Sequence, residues 1–353
     1  MSTKKSHSGT RLGMFAVMVA VAASAAFGAA PNQAPLFLTE TNTSPNYLAV
    51  INTVSGQTSY VPTVGNGGAS GNAGGVAVSG ELAAAINFGS LTVTIFERLG
   101  GAMHPIQTVK TTVAPLSVSF GHDHLFVLCT TVAESFPIYG SFVGPSDGSA
   151  NLLIGDGSSA QIISYANGVI YSEKTGSIGL LPLTARGAIS GPSVPVELPA
   201  APNNNTPFGM AADGAYVYAT IAHSDLEALI VNGEIVSTAT GPTPFTNAGG
   251  SIIHAPCWNA LRGHFLFSSD SPGMQLLRYL VSDDNIFLDK VGVATLSGAP
   301  TDLDIADHLL GVIDGGNGIN SDVTLFDVSY EGELTMRLAL KIAGPINGAA
   351  IIP

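Results

Sequence analysis

The sequence predicts an all-β chain, a seven-bladed β-propeller of four-stranded blades, closed by a C-terminal strand that joins the N-terminal blade. Three observations predict it. The first is a strand–turn–strand sentence, clearest at residues 113–130, VAPLSVSFGHDHLFVLCT. Leu116, Val118 and Phe120 alternate with Ser117 and Ser119, Gly121-His122-Asp123 turns the chain, and residues 125–128 are all apolar. Period-2 alternation, turn residues and then a buried run mark a hairpin. The second is recurrence. Segments aligned on Pro115 start at Gly74, Gln161, Pro207, Gly250, Pro300 and Pro345, at spacings of 41, 46, 46, 43, 50 and 45 residues. A period in the forties with short strands is propeller spacing. The third is that the two ends of the chain complement one another.

Taken in order, residues 1–30 read as a secretory signal peptide. Lys4, Lys5 and Arg11 precede a short apolar run, Met14 to Ala23, and small residues follow. The run is shorter than the ~20 residues that span a bilayer. Residues 31–353 read as one propeller domain. Its first unit, 35–42, 47–52 and 58–64, supplies strands two, three and four but no innermost strand. Second strands then recur at 82–87, 125–130, 169–174, 216–221, 265–270 and 309–314. Third strands are clearest at 91–96, 276–280 and 323–328, and fourth strands at 106–111, 286–293 and 333–341. Residues 345–352 are an innermost strand with nothing after it, and joining it to the first unit completes the seventh blade. Closure removes the sheet edges that invite aggregation. With 42 Gly, 21 Pro and only 10% charged residues, the composition suits turns and short strands rather than exposed helices.

Beyond residue 30 the chain carries nine Lys+Arg against 25 Asp+Glu, a balance of −16. That charge disfavours nucleic acid and anionic membranes as partners. Cys129 and Cys257 fall three blades apart, too far for a bridge, and are expected as buried thiols. Asn42-Thr43-Ser44 and Asn204-Asn205-Thr206 match the glycosylation pattern, which matters in a eukaryotic host.

The stretches LFLTETN and NYLAVINTVSGQTSYVPTVGNGG resemble the repeat of the lactonase/YVTN family of seven-bladed propellers. In that family a YVTN-like strand leads into a V-x-V-I-D-T-x-T-G strand. The resemblance covers the domain as a pattern and implies its fold. It also suggests chemistry, since the family includes 6-phosphogluconolactonase-like hydrolases and carboxymuconate-type cyclases alongside proteins without known activity.

In such a ring, the loops joining strand two to three and strand four to the next strand one share one face, where the channel mouth is expected. The ends of the second strands bring Glu40, Asn42, Asn87, Thr130, Glu173, Lys174, His223, Asp270 and Asp314 there. Glu173, His223, Asp270 and Asp314 are the candidate general acids or bases. Glu40, Asn42, Asn87, Lys174, Asp302 and Asn347 are the candidate substrate contacts. Asp302 and Asp304 share the channel edge of PTDLDIA, where paired carboxylates raise a pKa or invite a cation. Asn347 and Ser117 hold the position equivalent to Asp302. His122, His124 and His308 fall on turns of the opposite face. His254, Arg262 and His264 are placed there too, in an insertion at 256–263. These histidines are expected as surface turn residues, since two ligands at i and i+2 do not complete a metal site.

No Gly-x-Ser-x-Gly, His-Glu-x-x-His or Walker sequence is present, and neither a cofactor nor a metal is called for. The mouth holds Lys174 as its single cation, whereas anionic lactones want Arg or Lys clamps. The expected partner is therefore a neutral or apolar small molecule bound at the mouth of a secreted or periplasmic lactonase- or cyclase-type enzyme. A non-catalytic exported binding propeller with a protein or glycan partner is the alternative. A deep apolar mouth with convergent polar groups favours the enzyme, and a flat hydrated one the binding module.

Overall fold

The computed structural model describes residues 33–200, 205–244, 246–315 and 320–353. The signal peptide expected at 1–30 lies outside them. Seven antiparallel sheets follow one another around a ring. Blade 1 pairs Asn347–Ile352, innermost, with Leu36–Glu40, Tyr47–Asn52 and Thr58–Pro62. Blade 2 is Val76–Ser79, Leu82–Asn87, Thr92–Leu99 and Ala102–Lys110. Blade 3 begins with Pro115–Gly121, His124–Cys129 and Val132–Tyr139. Its outer edge is split into Phe142–Val143 and Gly148–Asn151, with Pro145 between them lacking the N–H a ladder needs.

Blade 4 is Ser159–Tyr165, Gly168–Glu173, Ser177–Leu181 and a two-residue fourth strand, Val194–Pro195, in a proline-rich stretch. Blade 5 is Pro207–Asp213, Tyr216–Ile221, Leu226–Val231 and Glu234–Thr240. Blade 6 is Pro256–Arg262, Phe265–Asp270, Gln275–Val281 and Ile286–Thr295. Blade 7 is Pro300–Ala306, Leu309–Asp314, Asn320–Val328 and Leu334–Ala343.

One repeat is out of register with the sequence expectation. Blade 6 starts at Pro256, six residues after Gly250, so 256–263 is not an insertion but the innermost strand and its turn. GSIIHA mimics the apolar alternation, yet residues 247–255 form the connection into the blade. The displaced alignment also misplaced His254, which lies on the mouth side.

The second strands are apolar runs because each is covered on both faces by neighbouring blades. His124–Cys129, Phe265–Asp270 and Leu309–Asp314 are buried throughout. Outer strands such as Ile286–Thr295 are largely exposed. Each interface between blades has its own apolar cluster, and seven such clusters complete the ring. Burying one Leu, Ile or Phe in them contributes about 1.5–3 kcal/mol. Closure runs through Leu36↔Ile352 and Phe37↔Ile351, so the first and last strands share one sheet. The predicted turn at residues 121–123 is a two-residue hairpin loop with positive φ at both His122 and Asp123, the geometry that matches strand twist. Cys129 and Cys257 are buried free thiols.

Candidate functional site

The end of each second strand lies at the mouth face, but the polar side chains there are turned inward. Glu40, Asn87, Glu173, Asp270 and Asp314 are all fully buried. Each holds loops together. Glu173 accepts the N–H groups of Ile154 (3.1 Å) and Gly155 (2.7 Å) and the Ser177 hydroxyl (2.6 Å). Asp314 accepts the N–H and hydroxyl of Ser297 at 2.9 and 2.8 Å. Glu40 accepts the Asn46 and Asn347 amides at 2.5 and 2.8 Å, and burial pushes its pKa up to about 8. Asn87 joins Thr63 and Thr94. In blade 3 the same task falls to Glu134 on the third strand, which accepts the Thr112 N–H at 2.9 Å. His223 is exposed and shares a 2.8 Å hydrogen bond with the Thr206 hydroxyl. Burial disfavours a carboxylate unless donors meet it, and these loops supply them.

Above the channel, the glycine-rich connection at 65–75 crosses from blade 1 to blade 2 and plugs the opening. Asn42, itself at positive φ, accepts the N–H groups of Gly68 (2.5 Å) and Ala69 (2.9 Å) and donates to the Ala69 carbonyl (2.6 Å). The Lys174 ammonium donates to the Gly71 carbonyl at 2.6 Å. Asn72 donates to the Leu116 carbonyl of blade 3, the Ala73 N–H reaches Ala160 of blade 4, and the Gly74 N–H reaches Asp302 of blade 7. A Cβ at Gly75 would collide with the Asn347 amide, so the backbone passes where no side chain fits. The one cation the sequence assigned to the mouth is thus a strut of the plug, and partial burial lowers its pKa.

The plug separates two chambers. The upper one, about 440 Å³, opens at the mouth. Phe208, Trp258, Pro300, Pro345 and Ile346 supply its apolar wall, and Asn42, Asn72, Ser271, Thr301 and Asn347 its polar groups. Trp258 and Phe208 meet edge to face, ring centroids 5.1 Å apart. No charged side chain lines it among the described residues. The lower chamber, about 320 Å³, is lined by all seven innermost strands, with Asp302 and Asp304 on its wall. Those two carboxyls latch blade 7 to blade 1. Asp302 accepts the Ala349 and Gly74 N–H groups at 3.0 Å each, and Asp304 accepts the Ile351 N–H at 2.7 Å. Ser117 and Ser119 make the equivalent bonds to Ile162 and Ser164 between blades 3 and 4. Burial raises Asp302 to about 7 and Asp304 to about 6, and their mutual repulsion adds to the Asp302 shift.

Of the sequence candidates, the structure therefore brings Asn42 and Asn347 to the upper chamber, sets Lys174 on its plug and puts Asp302 below it. Glu40, Asn87, Glu173 and Asp314 lie behind its loops. Asp270 differs from the other acids in its partner. It accepts the N–H groups of Ala255 (2.9 Å) and Gly273 (3.2 Å), the Gln275 amide (2.8 Å) and Nδ1 of His254 (2.7 Å). His254 is the residue that the displaced repeat hid, and an alignment on Pro256 would have found it. Nearby, Asp225 of blade 5 is 3% exposed and neither carboxyl oxygen has a partner among the described residues. Burial, with repulsion from Asp270, raises Asp225 to about 7. On the opposite face His124 is buried, 3.0 Å from Asp147, and His122 meets the carbonyls of Tyr165 and Gly168. No group of three metal-ligating side chains converges among the described residues.

No protein-family profile matches the sequence, and no curated protein matches it either. Solved structures do match in shape. A putative 6-phosphogluconolactonase from Bacteroides fragilis superposes with a TM-score of 0.64 at 13% identity, covering 92% of this chain and 100% of its own. A Lactobacillus plantarum protein gives 0.64 at 13%, covering 91% and 100%. The periplasmic gluconolactonase of Pseudomonas aeruginosa gives 0.62 at 12%, covering 91% and 99%. The chain shares the seven-bladed fold of lactonase-like propellers, and at these identities the likeness speaks for the fold.

Proposed function

We propose that this chain is an exported enzyme of the lactonase type, acting on a neutral, largely apolar cyclic ester in the upper chamber. The observation that carries this reading is the chamber wall: Trp258, Phe208 and Ile346 beside three asparagines, with no charged lining residue among those described. Such a pocket binds an apolar body and orients its polar atoms with a few hydrogen bonds. It offers nothing to offset a phosphate or carboxylate, whose desolvation would go uncompensated. Asn42 and Asn347 are the substrate contacts in this reading, and Lys174 fixes the plug beneath the substrate. The lactonase names of two propellers of the same fold support the reaction class. The basic-then-apolar segment at 1–30 supports export, as does the periplasmic setting named for one of those neighbours. No helix among the described residues is long and apolar enough to cross a membrane.

A non-catalytic binding propeller is favoured by one observation: Glu40, Asn87, Glu173 and Asp314 are occupied in holding loops. Proton release from δ-decalactone and from 6-phosphogluconolactone separates the readings. The enzyme reading expects opening of the neutral ring at least about tenfold faster in kcat/KM, a difference of ~1.4 kcal/mol in transition-state binding. Absence of turnover of either compound would favour the binding module, and preference for the phosphorylated one would overturn the neutral-substrate assignment.

A further inference from the structure

We propose that the mouth face docks on a neutral lipid surface through apolar loop tips around the upper chamber; the proposal goes beyond the lactonase reading and needs no turnover. Val64, Leu91, Ile154, Ile252 and Met274 are exposed, and all five sit in strand two-to-three or strand four-to-one connections, which face the mouth. They belong to blades 1, 2, 3, 5 and 6 or to the connections leaving them. None of the five joins an apolar cluster of the described blades. Three of them hold a backbone that their side chains disfavour. Val64, Leu91 and Met274 have φ of 59°, 55° and 50°, the left-handed region that Gly, Asn and Asp enter at least cost. Blade 5 shows the ordinary choice. In Phe88–Leu91, Ala222–Asp225 and Ser271–Met274 alike, the last N–H returns to the first carbonyl, and blade 5 puts Asp225 where blades 2 and 6 put Leu91 and Met274. Val64 is 77% exposed, so a β-branched side chain stands in a strained conformation with no core to fill. Folding gains little from such tips, and a surface that receives them accounts for them.

Charge selects the kind of surface. Among the described residues that are not buried, the mouth ends of the strands and their loops carry Lys110, Lys174 and Lys341 against Asp156, Glu197 and Asp322, which balance. The turns of the opposite face carry Glu81, Asp123, Asp213, Asp283, Asp284 and Asp307, all exposed, against Arg186 and Arg262. The exposed acidic excess therefore lies on the face turned away from a docked surface. A balanced, apolar-tipped rim meets a zwitterionic bilayer without the repulsion that an anionic one would give the rest of the molecule. Tips spread over separate blades suit a plane that all of them reach at once, whereas a protein partner of ordinary size buries one contiguous patch. The rim continues into the upper chamber: Met274 donates its N–H to the carbonyl of Ser271, a chamber-lining residue. An apolar ligand thus passes from lipid to Trp258 and Phe208 without crossing bulk water.

The test uses residues 31–353, which close on themselves through the pairing of Leu36–Glu40 with Asn347–Ile352, so that the apolar run at 14–23 adds no lipid binding of its own. Co-sedimentation with phosphatidylcholine vesicles should show saturable binding that persists in high salt, which screens exposed charges and leaves apolar contacts intact. The triple variant Val64→Asn, Leu91→Asn, Met274→Asn should bind at least about tenfold more weakly. It should melt no lower than wild type, because Asn tolerates positive φ. Ile154→Ser with Ile252→Ser repeats the test at positions of ordinary φ if the triple variant fails to fold. Val54→Asn and Tyr330→Ser, exposed on the acidic face, should leave binding unchanged. Absence of vesicle binding, its loss in high salt, or its retention within about threefold in the folded rim variants would overturn the proposal, as would its loss in the acidic-face variants. A dimer in sedimentation velocity that the rim variants dissociate, without vesicle binding, would assign the rim to a second copy of the chain instead. Vesicle binding by a chain that opens no lactone supports the docking face and counts against the lactonase reading alone.

Discussion

Asp270 and Asp225 are both buried at the junction of blades 5 and 6, yet one has four hydrogen-bond donors and the other none among the described residues. Such contrasts, rather than residue type, sort structural acids from chemical ones. The sequence placed an acid or amide at the end of five of the seven second strands, because strand periodicity fixes position. It could not show that Glu173 and Asp314 point into loop amides, because that depends on the neighbouring connection, whose sequence is irregular. Asn42 illustrates the other side. It was legible as a mouth residue but not as the clamp of the plug. In Asn42→Ala the amides of Gly68 and Ala69 lose their acceptor, which costs about 1–3 kcal/mol of local stability. Hydrogen exchange should show those two amides opening some tenfold or more faster while blade cores stay protected. Unchanged protection would mean that the plug is held by its other bonds alone.

At the scale of the strand and blade, shape matching matters more than apolar character. Tyr171 is fully buried and lies across from Gly179 on the adjoining strand. A Cβ at Gly179 would strike the Tyr171 ring, so Gly179→Ala should destabilise the chain by about 1–3 kcal/mol, read by chemical denaturation. A neutral effect would show that blade 4 yields more readily than its burial implies. The closing strand is a sharper case. Deleting the last eight residues removes Asn347–Ile352, strips the pairing from Leu36–Glu40 and exposes Phe37, Leu38 and Ala49. The truncated chain should fail to fold, with loss of the cooperative thermal transition. Blade count and closure were readable from the repeat because each blade repeats one burial problem. Blade 6 was not, since GSIIHA carries the right alternation without the strand, and that slip of six residues hid His254. The split fourth strand of blade 3 was equally unreadable, because outer strands are exposed and carry little pattern.

For the whole molecule, burial of acids sets the response to pH. Burial raises Glu40 to about 8, Asp225, Glu227 and Asp302 to about 7, and Asp304 to about 6. In the unfolded chain such groups titrate near 4. Between about pH 4 and 8 the unfolded state therefore gives up protons that the folded state keeps, and stability falls as pH rises. Repulsion among an excess of negative charges acts in the same direction. Asp156, Asp322 and Glu333 are held low by hydrogen-bond donors and oppose this only below about pH 4, weakly, because Asp156 and Glu333 are exposed and Asp322 is half-buried. The melting temperature at pH 5 should exceed that at pH 8 by about 5 °C or more. A chain more stable at pH 8 would show that these carboxyls are ionised in the fold.

The most direct test of a neutral-ligand chamber at a plugged mouth uses Trp258, the chain's single tryptophan and part of the chamber wall. Its fluorescence should change saturably on titration with δ-decalactone and stay constant with 6-phosphogluconate. A flat response to the lactone, or an equal response to the anion, would contradict the assignment of this chamber to a neutral small molecule.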